Sequence, residues 1–316
     1  MEENDMRAVL VDPSAPGHLR LHEAPEPAPL PSQALVQVEA ISLNLGEVRR
    51  ARRSEPGDLL GWDLAGKILT PAADGGGPAA GTRVVGLVRA GAWAERVAVE
   101  TALMAPLPDS VSAATAATLP VAGLTALYAL EQGGHLLGRN VLVTGASGGV
   151  GYFGVQLAKL LGANVAGLIR QAKYEGFVRD IGADWVVVGE RATGAASYGP
   201  YHCILESVGG QVLADSLQLV ASDGVLVNYG VSAGEQATIE VGQFFRTGRT
   251  RYYGLYLFTE FGRRPGSDGL QVLVNLVASG RLRAHIDAEG RLNELGELAE
   301  RLYTRQIAGK AVIHVD

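Results

Sequence analysis

The stretch V-T-G-A-S-G-G-V-G at Val143–Gly151 lies between two segments of different periodicity. Ahead of it, Val141, Leu142 and Val143 form a short apolar run bounded by Asn140 and Gly145, the pattern of a strand buried in a parallel sheet. Behind it, Val150, Phe153, Gly154, Leu157, Ala158 and Leu161 recur at i, i+3, i+4, i+7, i+8 and i+11, the stripe of a helix packed on that sheet. Glycines let the backbone between them approach a phosphate, and the helix start offers unpaired N–H groups and a partial positive charge. Strand, glycine turn and helix together predict a dinucleotide cradle. A glycine turn serving tight packing alone would not need both flanking periodicities.

Downstream, apolar runs alternate with helical segments: Val141–Val143, Val165–Ile169, Trp185–Val188, Cys203–Leu205 and Val225–Tyr229, with a sixth strand expected at the edge over Tyr252–Phe258. That alternation predicts a doubly wound parallel sheet of the Rossmann type. Upstream the pattern differs. Arg7–Val11, Leu35–Ile41, Gly61–Leu69, Gly81–Leu87 and Gly91–Val99 read as short strands separated by turn signals, hence a compact β-rich domain. Pro25, Pro27, Pro29 and Pro31 favour an extended surface connection, and Arg49–Arg53 reads as a solvated helix face. Ser112–Leu130, rich in alanine and leucine, predicts a helical link. Leu270–Val277 and Leu292–Leu302 read as helices and Ala311–Val315 as a last strand, all expected to pack on the first domain. The expected division is a β-rich domain over residues 1–115 and 259–316, with a dinucleotide-binding domain over 116–258.

The chain has 316 residues, enough for two domains, with 47% hydrophobic and 19% charged residues. A net charge of −6 without a basic run argues against nucleic acid as a partner. No apolar stretch is long enough to cross a bilayer, and the acidic, polar Met1–Met6 is unlike a signal peptide, so no membrane association and a cytoplasmic location are expected. Cys203 is the single cysteine; it excludes an intrachain disulfide and reads as a small core residue.

Further segments fall in a recognisable order: N-L-G-E at Asn44–Glu47, G-W-D-L-A-G at Gly61–Gly66, G-A-W-A-E at Gly91–Glu95, L-P-V-A-G-L-T-A at Leu119–Ala126, S-V-G-G at Ser207–Gly210 and G-K-A-V-I at Gly309–Ile313. With A-S-G-G-V-G they resemble the medium-chain dehydrogenase/reductase superfamily over nearly the whole chain, and within it the zinc-free NADPH:quinone oxidoreductase-like branch. The resemblance implies a Rossmann domain nested in a GroES-like catalytic domain, and a homodimer joined through the edge strand 252–258. Alcohol dehydrogenases of the superfamily place a zinc-binding cysteine and histidine where this chain carries Asn44 and Trp62, and neither an amide nor an indole replaces thiolate and imidazole.

The resemblance also implies roles. Ser147, Gly148, Gly149 and Val150 would meet the cofactor phosphates, and Asn228 and Tyr229 the nicotinamide end. Asn44, Thr125 and Tyr229 are the expected catalytic polar groups near the carboxamide or acceptor. Glu47 stands where aspartate is more usual, with a surface acid or a helix cap as its plainer reading. The second strand of the cradle ends in Arg170 rather than a carboxylate, and Lys173 follows in the next turn. Two cations there suit a 2′-phosphate, hence NADPH; solvated loop cations are the plain alternative. The Asn44–Gly61 segment is shorter than typical for the branch, which alters the pocket mouth. The leading expectation is a zinc-independent NADPH-dependent reductase passing hydride to a small-molecule quinone or α,β-unsaturated carbonyl in the interdomain cleft. An enoyl-thioester reductase, or an NADPH-binding sensor or structural protein with little turnover, remain the alternatives.

Overall fold

The computed structural model describes residues 5–315; the first four residues of the Met1–Met6 segment lie outside them. The chain divides into two compact units, one comprising the residues up to Leu124 and from Phe261 onward, the other Thr125–Glu260.

In chain order the first part carries β1 (Asp5–Val11), β2 (Leu19–Pro25), β3 (Gln33–Leu43), α1 (Leu45–Ala51), β4 (Asp63–Thr70), β5 (Arg83–Leu87), β6 (Arg96–Glu100), β7 (Met104–Pro106), α2 (Ala113–Ala117) and α3 (Pro120–Glu131). The middle part carries β8 (Asn140–Thr144), α4 (Gly149–Leu160), β9 (Asn164–Ile169), α5 (Glu175–Asp180), β10 (Trp185–Val188), β11 (Tyr201–Glu206), α6 (Gly210–Leu217), β12 (Val220–Asn228), α7 (Val241–Thr247), β13 (Arg251–Gly254) and α8 (Leu257–Glu260). Then follow α9 (Gly266–Ala278), β14 (Ile286–Arg291), α10 (Leu295–Tyr303) and β15 (Lys310–His314).

The second unit is a six-stranded, all-parallel sheet in the order β10-β9-β8-β11-β12-β13. The order reverses between β8 and β11, the switch point of a doubly wound sheet. Its strands are the apolar runs of the sequence, buried on both faces: Val141, Leu142, Val143, Ile204, Leu205, Leu226 and Val227 are all fully enclosed. The edge strand is shorter than expected. Its neighbour β12 supplies ladder partners only as far as Asn228, opposite Gly254, so the chain leaves the sheet there. Leu257 and Phe258, expected in that strand, instead turn inward on the single helical turn of α8.

The first unit is antiparallel and β-rich. A hairpin pairs β1 with β2, and a larger sheet runs β14-β15-β3-β4-β5-β7, with β6 also paired to β3. Only β14 and β15 are parallel to each other in it. Val36, Ile41, Leu64, Val84, Trp93, Leu295 and Ile313 share one core, so the last segments of the chain complete the sheet begun by the first. Strand β2 has no clean alternation (L-R-L-H-E-A-P) and escapes sequence reading; the first proline of the proline-rich connection, Pro25, is its last residue. The basic cluster is not simply solvated. Arg52 is mostly buried, pairs with Glu300 and lies 3.9 Å from the ring centre of Tyr303, fastening α1 to α10. Among the described residues, no helix is long and apolar enough to cross a membrane.

Candidate functional site

In the second unit, β8 ends in Thr144 and the chain turns through Gly145–Gly148 into α4. No side chain caps α4, and the Tyr152 N–H is the first to close on the turn, at 2.8 Å from the Gly148 carbonyl. The N–H groups of Gly149, Val150 and Gly151 ahead of it are therefore left for an outside acceptor. Gly151 makes the geometry possible: a Cβ there would stand 2.3 Å from the Gly145 carbonyl oxygen. Ser147, Gly148, Gly149 and Val150 all lie half-buried on this turn.

Beside it, β9 ends at Ile169 and Arg170 follows, exposed, with no side-chain partner among the described residues. Lys173 is exposed on the next turn, its ammonium 4.7 Å from the ring centre of Tyr174. Two cations and no carboxylate thus stand at the end of the second strand of the cradle.

At the carboxyl ends of β11 and β12 the polar groups hold one another. Glu206, fully buried, accepts from the N–H groups of Val208 (2.7 Å) and Gly209 (3.0 Å), from the Asn228 amide (2.6 Å) and from the Thr144 hydroxyl (3.4 Å). Burial raises its pKa, while these hydrogen bonds pull the other way. Asn228 spends its amide inside the protein, donating to Glu206 and to the Gly230 carbonyl and accepting from the Tyr252 hydroxyl at 3.1 Å. The Tyr229 hydroxyl oxygen is shut away from solvent, and burial, then the charge of Glu206, push its ionisation upward. Thr125 is buried on α3. Cys203 is enclosed and burial pushes its thiol up to about 12, consistent with a core role.

In the first unit a polar cluster joins the end of β3, α1, β4 and β15. Asp63, fully buried, accepts from the Ser42 hydroxyl (2.8 Å), the Asn44 amide (2.7 Å), the Val121 N–H (2.9 Å) and the Lys310 ammonium (3.3 Å). Lys310 also donates to the Asn44 amide oxygen at 2.7 Å. Glu47 reaches back to the Asn44 N–H at 2.7 Å, half of a capping box, and accepts from the Trp62 N–H. Burial, then the nearby charge of Asp63, raises its pKa to about 8. Asn44 is the hub: its amide serves Glu47, Asp63 and Lys310 at once. Trp62 lies over Gly46, whereas Trp93 is plain core. Of the two plainer readings of Glu47, the structure shows the helix cap and not a surface acid, because the side chain is enclosed between Asn44, Trp62 and Asp63.

Sequence reasoning missed Glu206, Asp63 and Lys310. The available signal is a charge set in an apolar run: Glu206 closes C-I-L-E, Asp63 opens D-L-A-G, and Lys310 opens K-A-V-I.

A family model described as zinc-binding dehydrogenase matches residues 149–265. A chloroplast envelope quinone oxidoreductase homolog of Arabidopsis thaliana is 29% identical over 92% of this chain and 90% of its own length. The solved quinone oxidoreductase of Coxiella burnetii superposes with a TM-score of 0.85 at 27% identity, covering 99% of this chain and 100% of its own. Over nearly its whole length the chain is similar to quinone oxidoreductases of the medium-chain dehydrogenase/reductase superfamily. A mycobacterial member of the structural neighbours, described as complexed with NADPH, superposes with a TM-score of 0.87 at 25% identity, covering 98% of this chain and 99% of its own. These likenesses support an oxidoreductase whose fold suits a nicotinamide cofactor.

The matching family model is described as zinc-binding, and the residues at the corresponding places carry a different donor set. At the places where the superfamily's alcohol dehydrogenases carry cysteine and histidine stand an amide whose N–H groups and oxygen are already engaged by three neighbours and an indole, which has no lone pair to give. The adjoining carboxylate, Asp63, already faces the Lys310 ammonium. These residues do not fit a zinc ion.

Proposed function

We propose that the protein is a zinc-independent, NADPH-dependent reductase that transfers hydride to a quinone or an α,β-unsaturated carbonyl. The observation that carries this reading is the conjunction of the open α4 N-terminus with Arg170 at the end of β9, which has no side-chain partner among the described residues. Free N–H groups of Gly149, Val150 and Gly151 suit a pyrophosphate, with Ser147 and Gly148 shaping the approach. Arg170, seconded by Lys173, suits a 2′-phosphate through charge-assisted hydrogen bonds. The mycobacterial neighbour complexed with NADPH supports the same cofactor.

When bound, the reduced nicotinamide would supply two electrons as hydride. Tyr229, its proton held tightly by burial, serves as a hydrogen-bond donor rather than an acid. Asn228 holds Glu206 and Gly230 in place, which fixes the turns that follow β11 and β12. Thr125 offers a hydroxyl toward the carboxamide or acceptor. Asn44 orders Glu47, Asp63 and Lys310 into one electroneutral group when Glu47 is protonated. A conjugated acceptor takes hydride into its own π-system and a proton from solvent, so no Lewis acid is required. The outer edge of β13, paired on one side only, suits a second copy of the chain, giving a homodimer.

The test is oxidation of NADPH against a panel of quinones, enones and enoyl thioesters, with metal content measured on the same sample. Steady turnover of a simple quinone by protein free of zinc is the expected result. One zinc per chain, lost on chelation together with activity, would overturn zinc independence; turnover of enoyl thioesters alone would favour the thioester reading.

A further inference from the structure

Glu206 is a buried carboxylate for which the fold provides no cation. It is fully enclosed, and no lysine, arginine or histidine pairs with it among the described residues. Three of its four partners are N–H groups, those of Val208, Gly209 and Asn228, which can only donate. The fourth, the Thr144 hydroxyl, is engaged at 3.3 Å with the Leu205 carbonyl as well. With three N–H donors at 2.6–3.0 Å, and a 3.4 Å contact to a hydroxyl oxygen that already accepts from the Ser207 N–H as the only group able to take a proton from it, the shell favours an anion. The contrast within the same chain is instructive: Asp63, equally buried, faces the ammonium of Lys310. An unpaired buried charge is costly and persists where something compensates it.

Its place in the fold says where compensation comes from. Glu206 ends β11, the strand beside β8 at the point where the sheet order reverses, and ligands of doubly wound sheets bind outside those carboxyl ends. The next residue, Ser207, borders the phosphate turn: a Cβ on Gly145 would stand 2.7 Å from its hydroxyl oxygen. Of the two forms of a nicotinamide cofactor, only the oxidised one carries a positive charge on its ring.

We infer that Glu206 is a positioning residue whose charge biases the bound cofactor toward its oxidised form, and so favours hydride donation. The inference rests on the cofactor reading above. A bound cofactor that gave up hydride, with its electron pair, to an acceptor completed by one proton from solvent would be left with one positive charge, and Glu206, at the carboxyl end of β11, would supply the compensating negative one. A full charge acting across a protein interior shifts such an equilibrium by on the order of tenfold.

The experiment compares dissociation constants for NADP⁺ and NADPH, measured at pH 8 without any acceptor. In Glu206→Gln, which keeps an acceptor oxygen for Val208 and Gly209 but loses the charge, the ratio of the NADP⁺ to the NADPH constant should rise about tenfold. Tyr252→Lys tests the same point without touching the buried core. Tyr252 is half-exposed and reaches Asn228, the direct partner of Glu206, so an added cation there should move the ratio in the same direction. Tyr252→Phe, which adds no charge, should leave it unchanged. If Glu206→Gln weakens both forms alike, or Tyr252→Lys leaves the ratio where it was, Glu206 merely pins its turn and the inference falls. Wild type that binds neither form would overturn the cofactor reading itself.

Discussion

Two side chains illustrate how differently a charge behaves at the end of a strand and inside a cluster. Arg170 is exposed and has no side-chain partner among the described residues, so its worth lies wholly in what it meets. Each charge-assisted hydrogen bond contributes about 1.5–3 kcal/mol, so Arg170→Ala should weaken NADPH binding by on the order of tenfold to a hundredfold while sparing NADH. Lys173→Ala should do less, because that ammonium already lies over Tyr174. Dissociation constants for both cofactors on the three proteins decide it, and equal affinity of wild type for NADH and NADPH would refute the 2′-phosphate role. Glu47 is the opposite case. Its pKa rises from 4.5 in the unfolded chain to about 8 in the fold, mainly through burial. Between those values the folded protein holds a proton that the unfolded chain has released. This contribution is therefore fully present below about pH 4.5 and is lost as pH rises through about 8, at up to about 1.4 kcal/mol per pH unit. Urea midpoints from pH 6 to 8.5 should fall in wild type and stay flatter in Glu47→Gln. Parallel curves would show that Glu47 does not carry the proton.

Among the elements, α4 depends on a contact that tolerates no substituent. Gly151→Ala would drive a Cβ into the Gly145 carbonyl, at a cost of about 1–3 kcal/mol for overpacking, and would lift the helix from its turn. Both NADPH and NADH should then bind at least about tenfold more weakly, with a lower melting temperature, unlike the selective loss from Arg170→Ala. Selective loss of NADPH alone would contradict this. The cradle was legible in sequence because each of its strands is an apolar run bounded by turn residues, and a strand buried on both faces announces itself that way. Strand β13 was only half legible. The run Tyr252–Phe258 is apolar throughout, yet strand length is set by how far β12 extends beside it, which no local pattern encodes. Strand β2 was hidden for the converse reason: its partner β1 imposes the extended form on residues that lack alternation. The carboxylates Glu206 and Asp63 could be seen as charges in apolar runs, but whether a lysine stands beside them depends on contacts as distant in sequence as Asp63 and Lys310.

For the molecule as a whole, assembly is open to a direct test. The outer edge of β13 is unpaired in the single chain, with Tyr252 and Tyr256 exposed beside it. Sedimentation at micromolar concentration should give twice the chain mass of 33.0 kDa; a species near one chain mass would rule out the dimer. A different consequence follows from β15, which brings Lys310 to Asp63 from 247 residues away. On the ribosome, at roughly 5–20 residues per second, that interval lasts on the order of ten to fifty seconds. The second unit is one continuous segment, Thr125–Glu260, and is fully synthesised while the first still lacks β14 and β15. Nascent chains stalled ahead of Lys310 should therefore carry a protease-resistant second unit attached to a first unit whose buried carboxylates have no counter-ion. The order of translation thus makes the β-rich unit, although it is begun first, the last to become native.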